Sequence, residues 1–421
     1  MFQKHTLSNG LRVVLAPQKD ARAMTLLVLV EAGSKYETKE LNGLSHFLEH
    51  MCFKGTTKRP HPITIATELD QIGAEYNAFT GHESTGYYAK ADARHFDLVL
   101  DVISDLYLNP TFETKEIETE KGVVIEEINM YEDTPMRNVQ ELFLSTVYGD
   151  QPAGWPLGGK KEIIRAIKRE DFIAYRKEHY LSNATVVIAA GAIPDDAKER
   201  IGAAFALMPQ GIKKDKLAVI DTQEKPVTFI KHKESDQTHF VLGVRAYHVF
   251  DPRRYQLEIL SAILGGGMSS RLFQKIRGEL GAAYYVRSGA DFFSDSGLFV
   301  TSVGAEHSKL EITLEAILKE YARLKHESVS KEELQKAKDY LKGGLVLSIE
   351  TSDALASFYG GQEIATKVIQ NPEEVFRQID AVTTKDIMDI ANDIFKDQHL
   401  NLALIGPIKE DQSFEKILHF E

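Results

Sequence analysis

The order of apolar runs in the first half of this chain returns in the second at a steady offset of about 214 to 217 residues, and any fold must accommodate that repeat first. Thr25–Val30 and Phe240–Tyr247 both read as apolar strands, each followed by helical periodicity, at Gly43–Phe53 and Tyr255–Leu264. Further on, Ile317 echoes Ile103, and Val329-Ser-Lys-Glu-Glu echoes Phe112-Glu-Thr-Lys-Glu. The expected architecture is α+β: two copies of one domain, each a mostly antiparallel sheet packed with helices. The 421 residues exceed what one core usually holds, which agrees with two domains. Residues 209–226, a polar and proline-bounded stretch, read as the linker between domains at 1–208 and 227–421.

Inside the first copy, Leu11–Leu15 and Thr25–Val30 read as a β-hairpin with turn residues at Pro17–Asp20. Ile63–Ile72 is expected to be helical, and Tyr76–Phe79 and Thr85–Ala91 to be strands. His95 to Met130 reads as two helices broken at Asn109-Pro110, because the residue before proline avoids the helical region. Lys161–Tyr180 adds a helix, and Thr185–Ala190 a buried strand.

The repeat also serves as a control on function. At an offset of about 214, His46, Glu49 and His50 correspond to Leu260, Ile263 and Leu264; at about 217, Glu127 corresponds to Gly344. The architecture therefore does not itself demand the polar set, which points to chemistry in the first copy.

In the helix around residue 48, Leu44, Phe47, Leu48 and Met51 fall at i, i+3, i+4 and i+7 and form the core stripe. His46, Glu49 and His50 share another side within an arc of about 100°. Two imidazoles four residues apart can meet one tetrahedral ion, and a carboxylate beside them can take a proton from water. A catalytic zinc usually keeps three protein ligands and an open position. The helix Glu116–Tyr131 offers Glu116, Glu118, Glu120, Glu126 and Glu127 for the third. Glu120 and Glu127 lie two turns apart on nearly one face, so one could ligate while the other holds a ligand histidine. Spacing leaves Glu126 and Glu127 open as alternatives.

His46-Phe-Leu-Glu-His50, with 76 residues between His50 and Glu127 and the surrounding Glu-Lys-Gly-Val-Val-Ile-Glu-Glu, resembles the pitrilysin/insulinase family of zinc metallopeptidases. The similarity spans nearly the whole chain and is closest to the short-chain branch that includes mitochondrial processing peptidases and bacterial homologues. It implies one Zn²⁺ per chain on His46, His50 and Glu127, Glu49 as general base, and Glu120 in support of the site. Tyr76-Asn-Ala-Phe-Thr80 resembles the family's substrate strand, which implies that Asn77, Ala78 and Phe79 bind a peptide by edge pairing. Phe273–Tyr285 resembles the segment carrying an arginine–tyrosine pair, implying that Arg277 and Tyr284 act on the substrate carbonyl. This sequence departs from that segment at Gly278 and Ala282.

The activity implied is endopeptidase cleavage of unfolded or oligopeptide substrates, with each chain forming half of a clamshell chamber. A homodimer is expected, or a heterodimer with a related subunit. The alternative reading is a non-catalytic or heterodimeric assembly or peptide-binding subunit of the same family.

Several other features carry less. Gly265-Gly-Gly-Met-Ser-Ser lacks the Lys-Ser/Thr ending of a phosphate loop. Cys52, the single cysteine, excludes a disulfide framework and reads as a core thiol. No role is assigned to His82 or Glu83. The net charge of −12 disfavours nucleic acid and anionic membrane as partners. The N-terminus lacks a secretory apolar region, so the chain is expected to be soluble and cytoplasmic, or periplasmic if a signal peptide has been trimmed.

Overall fold

The protein is described here by a computed structural model over residues 2–420. It contains two sheets with helices packed against them, as the α+β expectation holds. The first sheet comprises β1 (Gln3–Thr6), β2 (Arg12–Pro17), β3 (Ala23–Val30), β4 (Glu75–Thr80), β5 (Thr85–Asp92) and β6 (Thr185–Gly191), in the order β1-β2-β6-β3-β5-β4. The second comprises β7 (Val227–His232), β8 (Thr238–Ala246), β9 (Ala283–Phe292), β10 (Gly297–Ala305) and β11 (Leu400–Gly406), in the order β7-β11-β8-β10-β9. Apart from the extra β1, the two orders are the same. β2 and β7 begin at residues 12 and 227, and β6 and β11 at 185 and 400, so the repeat read from the sequence is a repeat of topology.

One local expectation fails. β2 and β3 do not form a hairpin, because β6 lies between them, parallel to β2 and antiparallel to β3. Every residue of β6 is buried. A strand that apolar on both faces belongs inside a sheet, while half-exposed strands take the edges. The single helix expected over Lys161–Tyr180 is two helices, Lys161–Ala166 and Arg169–His179. The chain restarts at Lys168, whose N–H donates to Asp171 Oδ2 at 2.7 Å, a capping contact that opens a new helix.

The compact units are not the contiguous segments 1–208 and 227–421. The first unit is Met1–Asn129, Trp155–Leu217 and Val346–Asn371; the second is Met130–Gly154, Ala218–Leu345 and Pro372–Glu421. Each takes a helix from the other half of the sequence. In the first unit, the helix Ser352–Thr366 lays Leu355, Ala356 and Tyr359 on Leu27, Leu29, Val186 and Ile188 of the sheet. In the second, the helix Pro135–Tyr148 lays Val139, Phe143 and Val147 on Val241, Leu298, Ala403 and Ile405. A sheet that is apolar on both faces needs two layers of cover, and here the second layer is exchanged. Among the described residues, no helix is long and apolar enough to cross a membrane.

Candidate metal centre

The helix Leu44–Cys52 buries Leu44, Phe47, Leu48 and Met51, each at most 1% exposed. That stripe fixes the helix in the core and turns His46 and His50 toward the long helix Thr114–Asp133, and Glu49 toward Thr80 at the end of β4. The Nε2 atoms of His46 and His50 lie 3.3 Å apart. Glu127 Oε2 lies 3.6 Å from the first and 3.3 Å from the second. Ligand atoms spread tetrahedrally around zinc at about 2.0–2.1 Å would stand roughly 3.3–3.4 Å apart. The triangle therefore has the size of one face of a zinc tetrahedron. Among the described residues, it is the one group of three or more His, Cys, Asp and Glu side chains able to hold a metal ion.

Glu120, buried, accepts from His50 Nδ1 at 2.9 Å and pairs with Lys54 Nζ at 2.6 Å. A proton held on Nδ1 leaves the Nε2 lone pair facing the triangle. Burial works against the Glu120 charge, but the hydrogen bonds from His50 and Lys54 hold its carboxyl below the ordinary range. His50 loses by burial yet, between Glu120 and Glu127, rises to about 9. His46 falls to about 4, through burial first and the neighbouring His50 charge second.

Glu49 lies outside the triangle, and its Oε2 accepts the Thr80 hydroxyl at 2.6 Å. Burial raises its carboxyl above the usual value, with Thr80 and His50 pulling the other way. The two glutamates left open by spacing separate here: Glu126 is exposed and accepts from Asn129 at 3.3 Å, whereas Glu127 faces the histidines.

β4 is the edge of the first sheet. Its residues alternate, with Asn77 and Phe79 exposed and Tyr76, Ala78 and Thr80 half-buried on the other face. Asn77 and Phe79 thus stand apart from the triangle, and Asn77 Oδ1 accepts the Ala78 N–H at 2.9 Å. Thr80 and Lys54 were not singled out by the sequence reading. A signal for Thr80 existed, since period-two alternation puts it on the inward face with Ala78; none marked Lys54. Cys52 is buried, with its thiol pushed up to about 11 by desolvation, which keeps it inert.

Arg277 and Tyr284 belong to the second unit. Arg277 sits on the π-helical turn Phe273–Glu279 and Tyr284 near the start of β9, with the guanidinium 5.5 Å from the Tyr284 ring. Both line a cleft of about 610 Å³ shared with Gly265–Met268 and Tyr340.

Two histidines one helical turn apart, a carboxylate from a second helix and a further glutamate beside them form a donor arrangement of the kind that mononuclear metal hydrolases use. The insulinase (peptidase family M16) model matches residues 12–161, and the peptidase M16 inactive-domain model matches residues 166–341. An uncharacterized zinc protease of Bacillus subtilis is 34% identical over 407 residues, covering 97% of this chain and 98% of its own. One from Streptomyces coelicolor is 32% identical over 420 residues, covering 98% and 91%. This chain belongs to the insulinase (M16) peptidase family. Its fold is similar to that of a protease from Helicobacter pylori, with a TM-score of 0.90 at 22% identity, covering 97% of this chain and 99% of that one. A chain of complex III2 from Candida albicans is similar at a TM-score of 0.86 and 19% identity, covering 99% and 98%.

Proposed function

We propose that this chain is a zinc-dependent endopeptidase that cleaves unfolded or oligopeptide substrates bound as an added strand along β4. The observation that carries the reading is the triangle of His46 Nε2, His50 Nε2 and Glu127 Oε2 with sides of 3.3 to 3.6 Å, beside a Glu49 that does not join it. Bound zinc supplies Lewis acidity, which acidifies water and polarises a carbonyl. Glu49 takes the proton from the attacking water and returns it to the leaving nitrogen. A carboxyl raised above its ordinary value is a stronger base than a solvated one, which suits that task. Thr80 holds the Glu49 carboxylate in place, and Glu120 holds the His50 ring. Asn77, Ala78 and Phe79 engage the peptide along the edge, reading backbone more than side chains. Arg277 and Tyr284 are assigned to the substrate carbonyl on the family resemblance. The length of the chain and that resemblance also support a homodimer, which light scattering tests: an active strict monomer overturns it.

The deciding experiment measures zinc stoichiometry and cleavage of a quenched peptide library by the wild type and by Glu49→Gln. One zinc per chain is expected, with turnover falling about 10²–10⁴-fold in the variant. Equal behaviour of the two proteins overturns the enzyme reading.

A further inference from the structure

Residues 33–37, Gly-Ser-Lys-Tyr-Glu, form a short turn centred on the 3-10 segment Ser34–Tyr36 that touches two parts of the site at once. On one side it grips the connection between β4 and β5. The N–H groups of Ser34 and Lys35 donate to the carbonyls of Gly81 and His82 at 3.2 and 2.9 Å. Ser34 Oγ lies 2.8 Å from His82 Nδ1, and Lys35 Nζ donates to Glu83 Oε1 at 2.8 Å. The approach is close enough that a Cβ on Gly33 would stand 2.3 Å from the Gly81 oxygen. On the other side, Glu37 caps the metal helix from outside it. Its Oε2 accepts the Gly43 N–H at 2.7 Å and its Oε1 the Ser45 N–H at 2.6 Å, while Asn42 Nδ2 donates at 3.1 Å. Gly43, at the N-cap position, has no side chain to do this.

The Lys35 side chain is 0% exposed, against 21% for Glu83. Desolvation of the lysine offsets much of the attraction, so the pair is weak evidence for stability, while its geometry ties the 33–37 turn to the β4–β5 connection. That tie bears on the distance between the edge strand and the helix that carries both histidines.

We propose that Lys35 and Glu37 are positioning residues of the peptidase site: Lys35 sets the β4 edge for the peptide through the β4–β5 turn, and Glu37 sets the metal histidines through the helix N-terminus. The inference rests on the peptidase reading above. It assigns the two residues different kinetic signatures, because one acts on the substrate strand and the other on the metal helix.

The test uses the full chain loaded with zinc, in the variants Lys35→Met, Lys35→Arg, Glu37→Gln and Glu37→Asp. Peptide kinetics, peptide binding by fluorescence anisotropy, zinc affinity by chelator competition and thermal midpoint are measured on each. Lys35→Met is expected to raise KM and weaken peptide binding several-fold with zinc affinity unchanged, and Lys35→Arg to restore most of the binding. Glu37→Gln is expected to lower kcat and weaken zinc by about tenfold with KM nearly constant, and Glu37→Asp to fall between. Loss of KM, kcat and zinc affinity together, in proportion to the fall in thermal midpoint, overturns the inference, as does a wild-type profile in all four variants. A wild type that binds zinc and peptide but never cleaves overturns the peptidase reading instead; the anisotropy and zinc measurements then still decide between the two positioning roles and none.

Discussion

Thr80, the last residue of β4, donates its hydroxyl to Glu49 Oε2 at 2.6 Å, so the strand assigned to the substrate also steadies the assigned base. The hydrogen bond favours the charged carboxylate and partly offsets the rise that burial imposes. Thr80→Val removes it without changing the side-chain shape. The acidic limb of the pH profile of kcat/KM is expected to move to higher pH in the variant, because Glu49 then protonates more readily. A limb that stays in place removes Thr80 from any control over Glu49.

In protein stripped of metal by a chelator, His50 holds a proton up to about pH 9. Zinc must displace that proton, so apparent affinity is expected to rise roughly tenfold per pH unit from neutrality towards that value. Calorimetry at pH 7.5 in buffers of different ionisation enthalpy should report about one proton released per zinc. The same shift has a stability consequence with a definite sign. A histidine raised above its ordinary value of 6.5 adds stability that is complete below that value and is lost as pH rises through the folded one. The thermal midpoint of the stripped protein should therefore decline between these limits, and a flat midpoint contradicts the assignment.

Glu120 touches His50 through Nδ1, on the far side of the ring from Glu127. Glu120→Gln keeps the shape and loses the charge, and is expected to weaken zinc by about 10- to 100-fold. Glu126→Gln, on the same helix and exposed, should leave zinc binding as in the wild type. Chelator competition on the pair separates a specific support from the general acidity of the helix.

Gly360 lies where the helix Ser352–Thr366 meets the first sheet, and a Cβ there would stand 2.9 Å from Cδ1 of both Ile188 and Leu29. Gly360→Leu is expected to cost about 1–3 kcal/mol of stability by overpacking, read as a lowered denaturant midpoint at unchanged zinc affinity. An undiminished midpoint would mean that the helix does not hold its place on the sheet in solution.

The motif helix was legible because its apolar stripe and its polar side are both set by 3.6-residue periodicity, and Leu44, Phe47, Leu48 and Met51 fall where that rule places them. The repeat was legible because Thr25–Val30 and Phe240–Tyr247 both read as apolar strands, each followed by helical periodicity, at a nearly constant offset. Long-range choices were not. Nothing in Leu11–Leu15 or Thr25–Val30 announces that β6, from more than 150 residues later, will separate them. Spacing alone left Glu126 and Glu127 equal, although the 100° between successive helical residues puts one in solvent and the other beside the histidines. Glu37 was invisible for the same reason: its partners, Gly43 and Ser45, are backbone groups, and side-chain identity does not record which carboxylate will reach them.

The exchange of helices between the two units has a consequence for how the chain is made. The outer face of the first sheet, with Val14, Leu27, Leu29 and Ile188, waits for Leu355 and Tyr359, which leave the ribosome last of all its parts. The proposed metal ligands are all synthesised by residue 127, yet the sheet that carries their scaffold stays half uncovered until most of the protein has emerged. An N-terminal unit that completes itself before the rest is made is therefore not expected, because its second layer comes from residues 352–366. A cut within residues 209–226 would likewise yield two fragments that each hold the other's missing layer, so neither should fold alone and the two together should reconstitute. Each unit of the repeat thus carries a helix from the other half of the chain, an arrangement that within one chain corresponds to a domain swap.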